Sequence, residues 1–219
     1  MTKKERYEKV LAWFLEHVPV AESELHYKNP YELLVAVILS AQCTDKRVNI
    51  VTPPFFKRFP TPEKLAAASV DEIYSFIRTV SYPNNKAKHL QGMAEVLVNE
   101  FNSKVPADVD SLQRMPGVGR KTANVVASVV YKKPVIAVDT HVFRVANRIG
   151  LTEATTVLET EKQLTRNIAP ELRPIAHHWL ILHGRYVCVA RAPKCAICGL
   201  RPWCRYYTAK KKPVIVRPR

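Results

Sequence analysis

At 219 residues the chain is long enough to bury a substantial core, as one domain or two compact ones. Its 34 lysines and arginines against 19 aspartates and glutamates leave a formal charge of +15, more than solubility asks of a small protein, which points to a polyanionic partner, nucleic acid foremost. The longest apolar run, Leu33 to Leu39, excludes a bilayer-spanning helix, and the polar start MTKKERYEKV lacks a secretory apolar region, so a cytoplasmic location with reduced cysteines is expected.

Residues 4–18 place Tyr7, Val10, Leu11, Phe14, Leu15 and Val18 at helical spacing before Pro19. Asn29-Pro30 predicts a cap and first turn, and the helix through Ser40 is apolar nearly all round, the pattern of a buried central helix. Thr44-Asp45 predicts another start, with Pro53-Pro54 expected to interrupt or bend that helix. Thr61-Pro62 opens a short helix, and Ser69 to Glu72 has the capping-box pattern ahead of Ile73, Phe76 and Ile77. Ser81 to Asn85 reads as a loop, followed by a helical face of Ala87, Leu90, Ala94, Leu97, Val98 and Phe101. Val142, Val145, Ala146 and Ile149 form a face stopped by Gly150. A helix over 157–168 ends before Pro170, and one from Pro174 carries Ile175, Trp179, Leu182, His183 and Tyr186 on one side. The final KKKPVIVRPR reads as a solvated basic tail. No convincing strand pattern emerges, so the expected fold class is all-α.

The chain is organised around Leu112 to Asp139. Gly117-Val118-Gly119 forms a tight turn, and a helix is expected to begin at Arg120 or Lys121. The N–H groups of such a turn and of a helix N-terminus point outward together and suit one phosphate. The same residues also suit an ordinary corner between two helices. Lys121 fits either a phosphate contact or a nucleophilic amine, because the helix N-terminus and Arg120 both disfavour its ammonium form. Asp139-Thr140 is a good N-cap for a helix over 140–149. Cys188, Cys195, Cys198 and Cys204 crowd into seventeen residues with spacing C-x6-C-x2-C-x5-C. A loop that short has no core of its own, and four thiolates there suit zinc or an iron–sulfur cluster. Cys43, remote from this group, reads as a small buried apolar residue. His141 is assigned no chemical role.

The segment LQRMPGVGRKTANVV, followed by AVDTHVFRV, resembles the helix-hairpin-helix DNA glycosylases in their endonuclease III branch, and about Leu33 to Cys204 can be laid on that pattern. The resemblance implies an all-α, two-lobed protein. One lobe would be a six-helix barrel over 23–133 containing the hairpin at about 109–130. The other would be discontinuous, from 1–22 plus 134–219, with the cluster loop at 188–204. It implies a bifunctional enzyme that removes oxidised or ring-damaged pyrimidines from duplex DNA and cleaves the strand 3′ to the abasic site. Lys121 would form the Schiff base and Asp139 would serve as the catalytic carboxylate. Gly117, Val118, Gly119 and Arg120 would hold the DNA backbone, and Gln42 would enter the space left by the flipped nucleotide. The four cysteines would hold [4Fe–4S], and Arg191 and Lys194 would meet phosphates. A monomer near the nucleoid is expected. Tyr82 departs from the family, which typically has leucine there, and resembles the adenine-mispair glycosylases. A monofunctional adenine-mispair enzyme and a non-enzymatic DNA-binding module are therefore the alternatives.

Overall fold

The computed structural model describes residues 1–211, so 212–219 of the expected basic tail lie outside the described residues. The chain divides into two compact units, Met1–Glu22 with Pro134–Arg219, and Ser23–Lys133. All regular structure among the described residues is helical.

Helix α1 (Lys3–His17) opens on a reciprocal cap. The Thr2 hydroxyl accepts from the Glu5 amide at 3.2 Å, and the Glu5 carboxylate accepts from the Thr2 amide at 2.8 Å. Its inner face is Tyr7, Val10 and Phe14.

In the unit Ser23–Lys133, α2 (Pro30–Ser40) is the central helix. Asn29 caps it, and Tyr31 and Leu33 through Leu39 are all buried. Each such leucine, valine or isoleucine contributes about 1.5–3 kcal/mol of burial, and α2 is packed by α3 (Asp45–Arg58), α6 (Pro83–Phe101) and α8 (Arg120–Tyr131). Of the two expected outcomes at Pro53 and Pro54, interruption does not occur, and α3 runs through both. They remove two helical N–H donors, but Val51, Thr52 and Phe55 are buried around them and hold the helix by tertiary packing.

Between α3 and α6 lie α4 (Pro62–Ala66) and α5 (Val70–Ile77), both packed on α6. The expected capping box of α5 is only half present. The Ser69 hydroxyl takes the Glu72 amide, while the Glu72 carboxylate turns to Arg58 at 2.6 Å. The loop expected at 81–85 is shorter than the sequence suggests, because Pro83 occupies the first turn of α6 and the helix absorbs Asn84 and Asn85. The short α7 (Val109–Gln113) then leads through the glycine turn to α8.

In the other unit, α9 (Thr140–Ile149) packs against α10 (Val157–Asn167), α11 (Arg173–Tyr186) and α12 (Arg205–Lys211). Phe14 stacks on Trp179 at 5.4 Å, and the Trp179 indole donates to the Val18 carbonyl. On the expected side of α11 Trp179 and His183 are buried and Ile175 and Leu182 pack against the core, but the buried surface extends beyond it. Ala176, His177, Trp179, Leu180, Ile181, His183 and Gly184 are buried, while Tyr186 is exposed. Gly184 explains the extension: a Cβ there would fall 2.9 Å from the His141 Cβ, so α9 covers a side of α11 that its apolar pattern does not mark.

Candidate active site

The hairpin is built from α7, the turn and α8. Met115 and Val118 are buried beneath the turn, and the Val118 amide donates to the Met115 carbonyl at 3.1 Å. Val118 can therefore meet a partner only through its backbone. Gly117 has φ +77°, and a Cβ there would lie 2.9 Å from the His89 Cβ, while a Cβ on Gly92 would fall 3.0 Å from the Pro116 ring. The fold itself thus requires glycine at 117, to seat the turn on α6.

Gly119 is different. Its φ of −82° suits any residue, and a Cβ there would meet nothing within 4 Å. It occupies the N-cap of α8 and, having no side chain, adds nothing in front of the first turn of that helix. Arg120 and Lys121, the first two residues of α8, are exposed.

In the same unit the structure brings Gln42 and Tyr82 onto one local element. Both are exposed, and both hold left-handed backbone angles, φ 53° and 55°, a region in which residues other than glycine are uncommon. The Ser81 hydroxyl donates to the Gln42 carbonyl at 2.6 Å. Beneath them, buried Lys86 donates to the carbonyls of Leu39 and Ala41, each at 2.7 Å. Burial pushes the Lys86 amine below its usual range, and Cys43 nearby works against that shift. Cys43 is only half-buried, less enclosed than expected, because it lies in the turn after α2 rather than inside a helix.

Asp139 lies in the other unit and caps α9, with its Oδ1 accepting from the amides of His141 and Val142 at 2.8 Å each. The preceding Ile136, Ala137 and Val138 are buried, and His177 Nδ1 meets the Ala137 carbonyl at 2.8 Å. A carbonyl only accepts, so that nitrogen carries the proton.

One turn and two turns along α9, two arginines reach the start of the cysteine loop. Arg144 donates to the carbonyls of Gly184 and Cys188, and Arg148 to those of Val189 and Ala190. Arg148 also lies 3.6 Å from the Cys188 sulfur and over the Tyr206 ring.

Cys188, Cys195, Cys198 and Cys204 all line one cavity, walled otherwise by Ile149, His183, Leu200 and Tyr206 among others. Burial pushes the Cys198 and Cys204 thiols up, and the neighbouring cysteines push the same way. Burial also pushes His183 down to about 4, and its Nε2 is 3.6 Å from the Cys198 sulfur. Among the described residues no group of three or more His, Cys, Asp or Glu side chains could hold a metal ion. Arg191 and Lys194 are exposed on the loop between the first two cysteines.

Residues 35–170 match the model of the HhH-GPD superfamily base excision DNA repair proteins. Endonuclease III of Rickettsia conorii is 45% identical over 199 residues, covering 91% of this chain and 95% of its own length. Endonuclease III of Bacillus subtilis is also 45% identical, over 91% of each chain. The chain belongs to the endonuclease III family. It is accordingly a base excision repair enzyme, of the DNA glycosylase and abasic-site lyase type. Among solved structures, a trapped endonuclease III–DNA covalent intermediate in an estranged-adenine complex superposes with TM-score 0.91 at 43% identity, covering 97% of this chain and all of that one.

Within this endonuclease III framework, sequence reasoning missed Ser81, Lys86, Arg144 and Arg148. A signal existed for Lys86. It falls four residues before Leu90 and seven before Met93, on the buried stripe of α6, where lysine is out of place unless it is hydrogen-bonded. The arginines carried no comparable signal, since their partners are backbone carbonyls some forty residues away.

Proposed function

We propose that this endonuclease III removes oxidised or ring-damaged pyrimidines from duplex DNA through the amine of Lys121, and cleaves the strand 3′ to the resulting abasic site. The observation that carries this reading is the start of α8. An exposed lysine stands two residues after a glycine whose missing side chain serves no internal contact, in the first turn of a helix that begins at open space. DNA phosphate fits that place, and the lysine is then held beside the strand. The covalent DNA intermediate captured for a 43%-identical relative supports a nucleophilic route.

In the reaction, the Lys121 Nζ lone pair attacks C1′ as the bond from C1′ to the base breaks. The base leaves with that electron pair and takes up a proton. The sugar ring opens to an iminium, a proton is lost from C2′, and the 3′ phosphate departs with the electrons of its C3′–O bond. Water then releases the lysine. Asp139 supplies a carboxylate to steady positive charge at C1′ and to relay protons, while its Oδ1 caps α9. Gln42 and Tyr82 fill the gap left by the extruded nucleotide, Tyr82 by stacking its ring. Gly117, Val118, Gly119 and Arg120 bind phosphate, and Arg191 and Lys194 add contacts from the cysteine loop.

The cysteines suit [4Fe–4S]. The donor set is four thiols around one cavity, and half-buried thiolates gathered there need a compensating cationic group. Bound there by Cys188, Cys195, Cys198 and Cys204, the cluster supplies cross-links that stiffen the loop. One chain suffices for every role named, in keeping with a monomer.

The test is borohydride trapping on a duplex with a damaged pyrimidine. A covalent adduct is expected, and Lys121→Gln should abolish it while leaving the thermal melt unchanged. Base release without an adduct would overturn the lysine route and favour a monofunctional enzyme acting on adenine mispairs, the reading that Tyr82 suggests.

A further inference from the structure

The last four carbonyls of an α-helix lack intrahelical donors and must be satisfied otherwise. At the end of α2 each of the four is accounted for. The Val37 carbonyl takes the Ser40 hydroxyl at 2.8 Å, Ile38 takes the Ala41 amide at 3.4 Å, and Ser40 takes the Cys43 amide at 3.0 Å. The Leu39 carbonyl takes Lys86 Nζ at 2.7 Å, and the same ammonium reaches the Ala41 carbonyl just beyond. The next carbonyl, that of Gln42, takes the Ser81 hydroxyl. Three bonds from two side chains at the entry of α6 thus fasten the exit of α2.

Two features make this more than helix capping. Gln42 and Tyr82, the residues being fastened, both keep a left-handed backbone that costs energy and persists only where surroundings over-determine it. Their side chains nevertheless point to solvent, with Tyr82 63% exposed above a lysine that is 5% exposed. A cation at a helix C-terminus also complements the helix dipole, so the buried ammonium holds the turn by charge as well as by geometry.

We propose that Lys86 and Ser81 are positioning residues that lock the Gln42 turn and the Tyr82 turn into one rigid wedge, fixing the spacing at which the two side chains enter duplex DNA. The proposal rests on the reading of Gln42 and Tyr82 as gap-filling residues. Lys86 touches neither base nor sugar. It acts by holding the backbone from which they project.

The experiment compares single-turnover base release from a damaged-pyrimidine duplex with borohydride trapping on a single-stranded abasic oligonucleotide, where no gap needs filling. Lys86→Met and Ser81→Ala should slow duplex release by about tenfold or more and several-fold respectively, with single-strand trapping within about twofold of the parent. Added to a Gln42→Ala/Tyr82→Ala double variant, Lys86→Met should cost almost nothing further, since the positioned groups are already gone. Additive losses, equal losses on both substrates, or no loss in either variant would overturn the proposal. If the Gln42→Ala/Tyr82→Ala variant itself matches the parent on duplex, the gap-filling reading falls first. If that variant is impaired and the Lys86 and Ser81 variants are not, only the positioning role falls. Should Lys86→Met fail to fold, Ser81→Ala decides the matter, with Ser81→Thr expected to restore the rate.

Discussion

Gly199 lies so close to the indole of Trp13 that a Cβ on the glycine would fall 2.6 Å from Cε2 and 2.7 Å from Nε1. The ring has little room to yield, because it stacks on His17 at 4.8 Å and meets Phe14 edge-on at 5.3 Å. The glycine that follows Cys198 therefore sets how closely α1 approaches the cysteine loop. Gly199→Ala should lower the thermal midpoint by an overpacking cost of about 1–3 kcal/mol, and, with the proposed cluster in the loop, the iron content per purified chain should fall with it. A parental melt with full iron would show that α1 is not held against this loop.

The two hairpin glycines should separate a folding requirement from a binding one. Gly117→Ala combines a positive φ with a collision at His89, so it should cost about 1–3 kcal/mol of stability. Gly119→Ala meets open space at an ordinary φ and should cost under about 1 kcal/mol as an N-cap change. Duplex affinity should nonetheless weaken, because a methyl group then stands where a phosphate would approach the helix amides. Thermal melts and salt-dependent binding titrations on both variants check this. Parental affinity in Gly119→Ala would remove the hairpin from the DNA interface.

What could be read in advance was local. The Asn29-Pro30 start of α2, the glycine turn before α8 and the Asp139 cap of α9 are each decided within four or five residues, so spacing alone places them. Less was legible where distant packing outweighs local chemistry. Pro53 and Pro54 weaken α3 locally, yet burial of Val51, Thr52 and Phe55 keeps it whole. The wider buried surface of α11 is set by the contact of Gly184 with α9, which no periodicity in α11 records. Lys86 and Ser81 escaped notice because what they hold lies 39 to 47 residues away. The cysteine spacing was legible as a set, but the arginine bonds from α9 that hold the loop's first carbonyls were not.

Tyr7 carries a buried hydroxyl without a hydrogen-bond partner among the described residues. Burial pushes its phenol well above the usual value of about 10. A folded-state value above the unfolded one means that this contribution is intact below pH 10 and is lost as pH rises, when the unfolded chain ionises first. Tyr7→Phe removes both the unpaired hydroxyl and that titration. It should raise stability by about 1 kcal/mol near neutral pH and widen its advantage above pH 10. Tyr31 shifts the same way, but its hydroxyl donates to the Phe59 carbonyl at 3.1 Å, so Tyr31→Phe should bring no such gain near neutral pH. Denaturant titrations at pH 7 and pH 10.5 test both, and a less stable Tyr7→Phe at pH 7 would mean the hydroxyl is satisfied after all.

In the proposed reaction Asp139 has two tasks that substitution can separate. Its Oδ1 holds the amides of His141 and Val142, a task an asparagine carbonyl performs equally well. Steadying a cation and accepting protons need the carboxylate. Asp139→Asn should therefore melt within a few tenths of a kcal/mol of the parent, yet lose base release by about a hundredfold or more. Asp139→Ala should lose the same activity and about 1 kcal/mol of stability besides. Melts and single-turnover assays on the pair give the answer directly. If Asp139→Asn keeps its activity while Asp139→Ala loses both, the residue is a helix cap and the catalytic carboxylate must be sought elsewhere, since the amide then does everything that position requires.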